Sequence, residues 1–102
     1  MKKELELIKK EIEEGRAVLF DVREEDEWNA GHLKSADFVP LSQLKEGLAP
    51  QNKDLAKKTY LHCRSGKRVL MAKPLLKTMG FKDVVALNEG FAELVENDFE
   101  AA

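Results

Sequence analysis

One six-residue stretch of the sequence carries the residue types from which a reactive site could be built. It holds the only cysteine of the chain, a glycine and three cationic side chains, in the order Cys63-Arg64-Ser65-Gly66-Lys67-Arg68. The stretch lies where a predicted strand ends and a predicted helix begins, which is where open α/β sheets place their ligands. If the loop curls so that its backbone N–H groups converge, they form an anion cradle with the N-terminus of the helix. Such positive surroundings lower a thiol pKa below its free value of about 8.5, so Cys63 is predicted to be a nucleophile at neutral pH.

The alternative for Cys63 is that it is a small buried hydrophobe, the commoner role of a lone cysteine. Packing alone, however, requires neither the surrounding cations nor a glycine where the backbone must turn tightly. The cations could belong to a solvated surface, but cations at a helix N-terminus oppose the helix dipole. Their unfavourable position therefore indicates a bound anion.

The elements that must position this loop follow from the hydrophobic pattern. Leu5, Ile8 and Ile12 recur at helical spacing and predict an amphipathic helix over residues 3–14. Strands are predicted at 17–20, 38–39, 59–62 and 84–87, and further helices at 24–30, 42–48, from the loop to 79, and from 91. Ser42 is expected to cap one helix, Pro74 to kink another, and Trp28 to face the core.

Strands that alternate with helices predict an α/β fold, with a parallel sheet covered by helices on both faces. The unbroken apolar run at 17–20 is typical of a strand buried on both sides. Asp21 and Arg23 then mark its carboxyl end. They are expected either to brace the cysteine loop or to form an ordinary surface pair.

Length and composition indicate a single soluble domain over residues 1–102. Apolar residues make up 43% of the chain and charged residues 35%, which is the balance of a globular protein. The formal net charge of -2 gives no overall basic field, so no nucleic-acid partner is expected. One cysteine can form neither an internal disulfide nor a thiolate metal site by itself. No apolar run suits an export signal or a membrane span, so we expect a cytoplasmic protein.

Two motifs resemble those of the rhodanese family of sulfurtransferases, and the resemblance covers nearly the whole chain. The first runs from Asp21-Val22-Arg23-Glu24 through Trp28 and Gly31-His32-Leu33 to Pro40-Leu41. The second is the Cys63 loop, followed by Gly80-Phe81 and by Leu87 with Gly90. Both motifs in this order and spacing are specific. Lys34-Ser35, Val69 and Asn88-Glu89 depart from the usual pattern but leave the cysteine loop intact.

The resemblance implies a rhodanese-like fold with a five-stranded parallel sheet, and a reaction in two halves. The loop cysteine takes a sulfane sulfur from a donor such as thiosulfate, releases sulfite, and passes the sulfur to a thiophilic acceptor. By position, Cys63 is the persulfide carrier, and the substrate-binding cradle consists of Arg64, Ser65, Gly66, Lys67 and Arg68. Sulfite is a good leaving group, so no general acid is required.

The expected partners are a small anionic sulfur donor and an acceptor, which is a thiol, cyanide or a sulfur-accepting protein. No cofactor, metal, nucleic acid or membrane is expected, and the protein is predicted to act as a monomer. A relay that carries a persulfide to a partner protein and a non-enzymatic docking module remain alternatives. The module is disfavoured because the cysteine and its basic loop are present.

A cysteine phosphatase or arsenate reductase is a further alternative, because these enzymes also cradle an anion. The related phosphatases place five residues between cysteine and arginine, whereas four separate Cys63 from Arg68, and no general acid is evident. His62 adjoins the nucleophile, but neighbouring residues of a strand point to opposite faces, so it is not expected to be the base. His32 is expected to be a structural anchor.

Overall fold

The computed structural model describes residues 2–51 and 54–102, in which helices and strands alternate. The helices are α1 (Lys3–Glu13), α2 (Glu25–Ala30), α3 (Leu41–Lys45), α4 (Arg68–Thr78) and α5 (Phe91–Glu96). The strands are β1 (Ala17–Asp21), β2 (Ala36–Phe38), β3 (Lys58–His62) and β4 (Val84–Ala86). Each element predicted from the hydrophobic pattern is present, with its ends displaced by a few residues.

The strands pair in parallel to form one sheet in the order β2-β1-β3-β4. The central strands β1 and β3 pair from Ala17 opposite Lys58 to Asp21 opposite His62, so their carboxyl ends lie side by side. Within the described residues the sheet has four strands, which corrects the five that the family resemblance implied. Leu33 and Ala101 form one isolated antiparallel bridge, which is too short to add a strand.

Each face of the sheet carries its own hydrophobic core, which confirms the predicted α/β arrangement. On one face Phe20 and Leu61 pack with Cys63 and with Leu76 of α4. On the other face the core joins Leu5 of α1 and Leu94 of α5 to the side chains of Leu19 and Tyr60. Successive residues of β1 and β3 face opposite cores, as the two-residue period of a strand requires.

The structure tests two of three local expectations, those on Ser42 and Trp28. Ser42 lies inside α3, which begins after Pro40, and its hydroxyl donates to the Glu24 carboxylate at 2.5 Å, so the predicted cap is wrong. Trp28 is only half-buried. Its ring stacks on the ring of His32 with a centroid separation of 3.7 Å. Helix α4 continues through Pro74, which is exposed, and the kink stays a prediction. None of the helices in residues 2–51 and 54–102 has the length and apolar character needed to cross a bilayer.

Candidate active site

The loop at residues 63–67 connects the end of β3 to the start of α4. Cys63 is fully buried at the base of this loop, and its Sγ accepts a hydrogen bond from the Gly66 amide at 3.2 Å. Gly66 has φ +83°, and a Cβ at this position would lie 3.2 Å from the carbonyl oxygen of Asn88. Glycine is therefore required both for the turn and for the close approach of the 88–90 segment.

The thiol of Cys63 is subject to two opposing effects. Burial is the larger single effect and raises its pKa, but the backbone N–H groups of Val69, Ser65, Gly66 and Arg68 stabilise the thiolate. Together these amides outweigh burial and hold the pKa of Cys63 below its ordinary value. The positive field around the sulfur thus comes chiefly from the backbone at the start of α4.

The three cations of the loop have different surroundings. Arg64 and Lys67 are exposed, whereas Arg68 donates to both carboxylate oxygens of Glu27, at 2.5 and 2.9 Å. The guanidinium therefore already has an anionic partner within the protein. The substrate-binding role expected of Arg68 stays a prediction, and Arg64 and Lys67 are the loop cations without an ion-pair partner among the described residues.

Glu27 contacts the cysteine loop in a way that the sequence interpretation missed. It is the third residue of α2, and its carboxylate also accepts from the backbone N–H of Glu24 in a capping box. The hydrogen bonds from Arg68 are the main reason that the pKa of Glu27 falls from 4.5 to about 2, with the Glu24 amide contributing. The capping-box pattern was visible in the sequence, but the Arg68 partner lies 41 residues away.

The opposite wall of the loop is formed by the segment that follows β4. Gly90 passes so close to the loop that a Cβ there would lie 1.9 Å from the Arg64 carbonyl oxygen. The next amide, that of Phe91, donates to the Cys63 carbonyl at 3.0 Å. Glu89, which departs from the usual glycine pair, forms an ion pair with Lys2 at 3.2 Å. The loop is therefore fixed by backbone contacts on this side.

A buried ion pair lies at the carboxyl end of β1. Arg23 and Asp21 are 5% and 0% exposed, and Arg23 makes a bidentate contact with the Asp21 carboxylate, so the surface-pair interpretation is wrong. Arg23 also donates to the Gly31 carbonyl at 2.7 Å and lies 4.4 Å over the Phe91 ring. The pair braces α5, whose first residue holds the Cys63 carbonyl, so it supports the loop through α5.

The polar contacts of the two histidines are with backbone carbonyls and with Asp21. His62 is buried, its Nε2 lies 3.6 Å from Asp21 Oδ2 without a hydrogen-bond partner among the described residues, and burial is the main cause of its lowered pKa. Its Nδ1 contacts the Cys63 carbonyl, at 3.4 Å, rather than the thiol. His32 donates from Nδ1 to the Trp28 carbonyl at 3.0 Å, as a structural anchor does.

Two shallow openings border the rim of the loop. One, of about 380 Å³, is lined by Arg23, Glu27, Arg64 and Phe91 among others. The other, of about 480 Å³, is lined by Arg64, Ser65 and Gly90 together with acidic residues of α5. Arg64 borders both openings, so small molecules that approach the loop pass an exposed guanidinium. A buried thiolate ringed by amides, with cations at its rim, can hold an anion and attack an electrophilic atom within it.

Comparisons with known proteins agree with this geometry. Residues 4–97 match the model of the family described as the rhodanese-like domain. The chain is 37% identical over 76 residues to the uncharacterized protein YqhL of Bacillus subtilis, covering 74% of this chain and 59% of YqhL. It is 35% identical over 82 residues to the probable adenylyltransferase/sulfurtransferase MoeZ of Mycobacterium tuberculosis, covering 78% of this chain but only 20% of MoeZ.

Among solved structures, the human single-domain sulfurtransferase TSTD1 superposes with a TM-score of 0.77 and 27% identity, covering 90% of this chain and 92% of that one. The family model alone spans most of the sequence. The chain belongs to the rhodanese-like domain family.

Proposed function

We propose that this protein is a sulfurtransferase, which moves a sulfane sulfur from thiosulfate or a similar anionic donor to a thiophilic acceptor through a persulfide on Cys63. The observation that carries the proposal is the position of Cys63 Sγ at the base of a loop whose amides lower the pKa of the thiol. The thiolate is the attacking species in sulfur exchange. The likeness to a human sulfurtransferase supports the same chemistry.

In the first half-reaction, the Cys63 thiolate attacks the outer sulfur of thiosulfate. A new S–S bond forms, the S–S bond of thiosulfate breaks, and the electron pair leaves with sulfite. In the second half-reaction, a nucleophilic acceptor takes the outer sulfur, and the electron pair returns to Cys63 Sγ. Arg64 and Lys67 attract the anionic donor to the rim, while the loop amides stabilise the thiolate before and after transfer.

The Arg68 contact argues against the phosphatase alternative. A cysteine phosphatase needs its loop arginine to hold the oxygens of a tetrahedral oxyanion, and Arg68 instead holds both oxygens of Glu27.

A relay function is the second alternative. The chain spans only one fifth of MoeZ, a relative named as both adenylyltransferase and sulfurtransferase. A free enzyme passes the sulfur to a small thiol or to cyanide, whereas a relay passes it to a partner protein. The nature of the acceptor distinguishes the two functions. The single domain, the monomeric state and the cytoplasmic location stay predictions.

Intact-mass measurement after incubation with thiosulfate tests the proposal. Wild-type protein is expected to gain one sulfur atom, to lose it on addition of cyanide, and to turn over thiosulfate and cyanide catalytically. Cys63→Ser is expected to remain folded, because the hydroxyl can keep the Gly66 hydrogen bond, and to gain no sulfur. A wild-type protein that gains no sulfur from any sulfane donor, or a serine variant that remains active, would overturn the mechanism.

A further inference from the structure

The charges of this chain are distributed unevenly along the sequence. Residues 61–82 contain six of the 17 cationic residues and none of the 19 acidic ones, although the whole chain has a net charge of -2. This segment comprises the cysteine loop, α4 and the turn that follows. The strongly acidic remainder of the chain masks this basic region in the overall charge.

The exposed side of α4 continues directly from the cysteine loop. Lys67, Leu70, Met71, Pro74 and Lys77 are exposed and recur at helical spacing, and we call them the α4 face. The opposite side of the helix is buried through Val69, Ala72 and Leu76. The α4 face therefore forms one stripe, which begins beside the Cys63 loop and extends for about 15 Å along the helix.

The composition of the α4 face indicates a protein partner. Leu70 is 65% exposed and Met71 is 47% exposed, so the centre of the stripe is apolar, and lysines lie at its two ends. Within the described residues, neither Lys67 nor Lys77 forms an ion pair. A complementary surface has an apolar centre and acidic groups at both ends.

Nucleic acid is a poorer match for this stripe. Single-stranded nucleic acids are held by aromatic side chains that stack on bases, combined with a cationic groove. The only Phe, Tyr or Trp in residues 61–82 is Phe81, which is 4% exposed and packs in the core. Leu70 and Met71 can neither stack in this way nor bind phosphate, so an acidic protein surface is favoured over RNA.

We propose that the α4 face docks an acidic sulfur-accepting protein, whose thiol takes the outer sulfur of the Cys63 persulfide. This inference rests on the proposed function and adds the nature of its partner. The stripe is small compared with stable interfaces, which bury about 800 Å² on each partner, so the complex is expected to be transient. A short-lived encounter suits a carrier that must release its partner after each transfer.

The transfer step balances without another reactant. The acceptor loses its thiol proton to solvent, and its thiolate forms a bond to the outer sulfur of the protonated persulfide. The S–S bond to Cys63 Sγ then breaks, and the electron pair stays on Sγ, which the loop amides stabilise as a thiolate. The acceptor leaves as a persulfide. Docking on the α4 face places the acceptor thiol at the rim of the loop, where this thiol can reach the outer sulfur of the Cys63 persulfide.

Synthetic peptide thiols provide the probes for a test. Two peptides of equal length each carry one cysteine and neighbouring leucines. In one the remaining positions are Asp and Glu, and in the other they are Lys. The rate at which each peptide removes sulfur from persulfidated protein is followed by intact mass. The variant is Leu70→Ser with Lys77→Glu. The matched control is Leu7→Ser with Lys10→Glu, which alters an equally exposed leucine and a lysine on α1.

Wild type is expected to transfer sulfur faster to the acidic peptide than to the basic one, and added salt should narrow the difference. The α4 variant should transfer sulfur to the acidic peptide about ten-fold more slowly, because it lacks one apolar contact and one ion pair with the peptide. The α1 control should stay near the wild-type rate. All three proteins should use thiosulfate and cyanide at similar rates, which also verifies their folding.

Equal rates toward both peptides, or equal losses in the α4 variant and the α1 control, would overturn the docking inference while leaving the sulfurtransferase proposal intact. Absence of sulfur loading from any sulfane donor would instead overturn the proposed function. A fluorescently labelled single-stranded RNA provides the competing class of ligand. If it binds wild type and loses binding in the α4 variant, while peptide rates remain unchanged, the α4 face is a nucleic-acid site and the protein-partner inference is wrong.

Discussion

At the scale of single residues, the lowered pKa of Cys63 depends on the backbone more than on the cations that first draw attention to the loop. The amides of residues 65, 66, 68 and 69 lower the pKa of the thiol against the effect of burial. Arg68 is held by Glu27, and Lys67 is exposed to solvent, where charges are screened. Lys67 is therefore expected to act on the approaching donor more than on the thiol.

Gly66→Ala and Lys67→Ala separate these two contributions. The alanine at 66 is expected to raise the pKa of Cys63, because its Cβ crowds the Asn88 carbonyl and its left-handed backbone costs about 1–2 kcal/mol, so the amide moves away from Sγ. Lys67→Ala should shift this pKa much less. The rate of alkylation by iodoacetamide as a function of pH measures both values. A larger shift in the lysine variant would show that the side chain supplies the field.

The buried Asp21–Arg23 pair allows a stability prediction at the same scale. Arg23→Met leaves Asp21 without its cation beside buried His62, so the free energy of unfolding is expected to fall by about 3–5 kcal/mol. Arg16→Met is the matched control, because the Arg16–Glu14 pair is exposed and should contribute about 1 kcal/mol or less. Urea unfolding compares the two variants, and similar losses in both would contradict the role assigned to burial.

At the scale of the elements, Glu27 connects the start of α2 to the start of α4. One carboxylate accepts from the Glu24 amide within its own helix and from the Arg68 guanidinium of the other. The acids in the first turn of α2 also suit the dipole of that helix. In the folded chain the Glu27 carboxylate also fixes the direction from which α4 leaves the cysteine loop, and so the orientation of the amides that surround the sulfur.

Glu27→Gln is expected to lower the free energy of unfolding at pH 7 by about 1 kcal/mol, the upper range for a partly exposed ion pair. The folded-state pKa of Glu27 is lowered from 4.5 to about 2, so the ionised form stabilises the fold. That contribution is fully present above pH 4.5 and is lost as the pH falls toward 2. Urea unfolding across this range should show the variant and wild type converging at low pH. Glu25→Gln, on the exposed side of α2, should show no such convergence.

The elements themselves were predictable because periodicity depends on nearby residues. Residues 3–14 gave the pattern of α1, and the apolar run at 17–20 gave β1. What the sequence did not show are partners distant along the chain: Ser42, wrongly predicted as a cap, meets Glu24, and Arg68 meets Glu27. The burial of the Asp21–Arg23 pair likewise depends on Gly31 and Phe91. Charge and spacing indicate candidate site residues, but not which of them neutralise one another.

At the scale of the whole molecule, a basic loop and α4 lie on an otherwise acidic protein. Arg64 and Lys67 at the rim of the loop attract anions to the end of the sheet where Cys63 lies, and the acidic remainder of the surface repels them. With Arg68 paired, Arg64 and Lys67 remain to recognise the donor. Two cations still match a doubly charged donor better than a singly charged one.

Thiosulfate is therefore expected to exceed mercaptopyruvate as a donor at low salt, with the ratio narrowing as the Debye length falls from about 10 Å at 0.1 M to about 3 Å at 1 M. The measurement is kcat/KM for both donors at low and high ionic strength. Lys67→Gln should weaken the salt dependence, and Lys10→Gln should leave it unchanged. A preference for mercaptopyruvate at low salt would contradict the role given to these cations.

The shortness of the edge strands has a consequence for behaviour at high concentration. β2 and β4 have three residues each, and β2 carries an exposed aspartate at its centre, with Pro40 two residues beyond its end. Edges this short, one of them charged, offer too few free backbone groups to recruit a strand from another molecule. Fibril formation by this protein therefore has to begin from unfolded chains, and conditions that preserve the native sheet should also keep concentrated solutions free of cross-β aggregates.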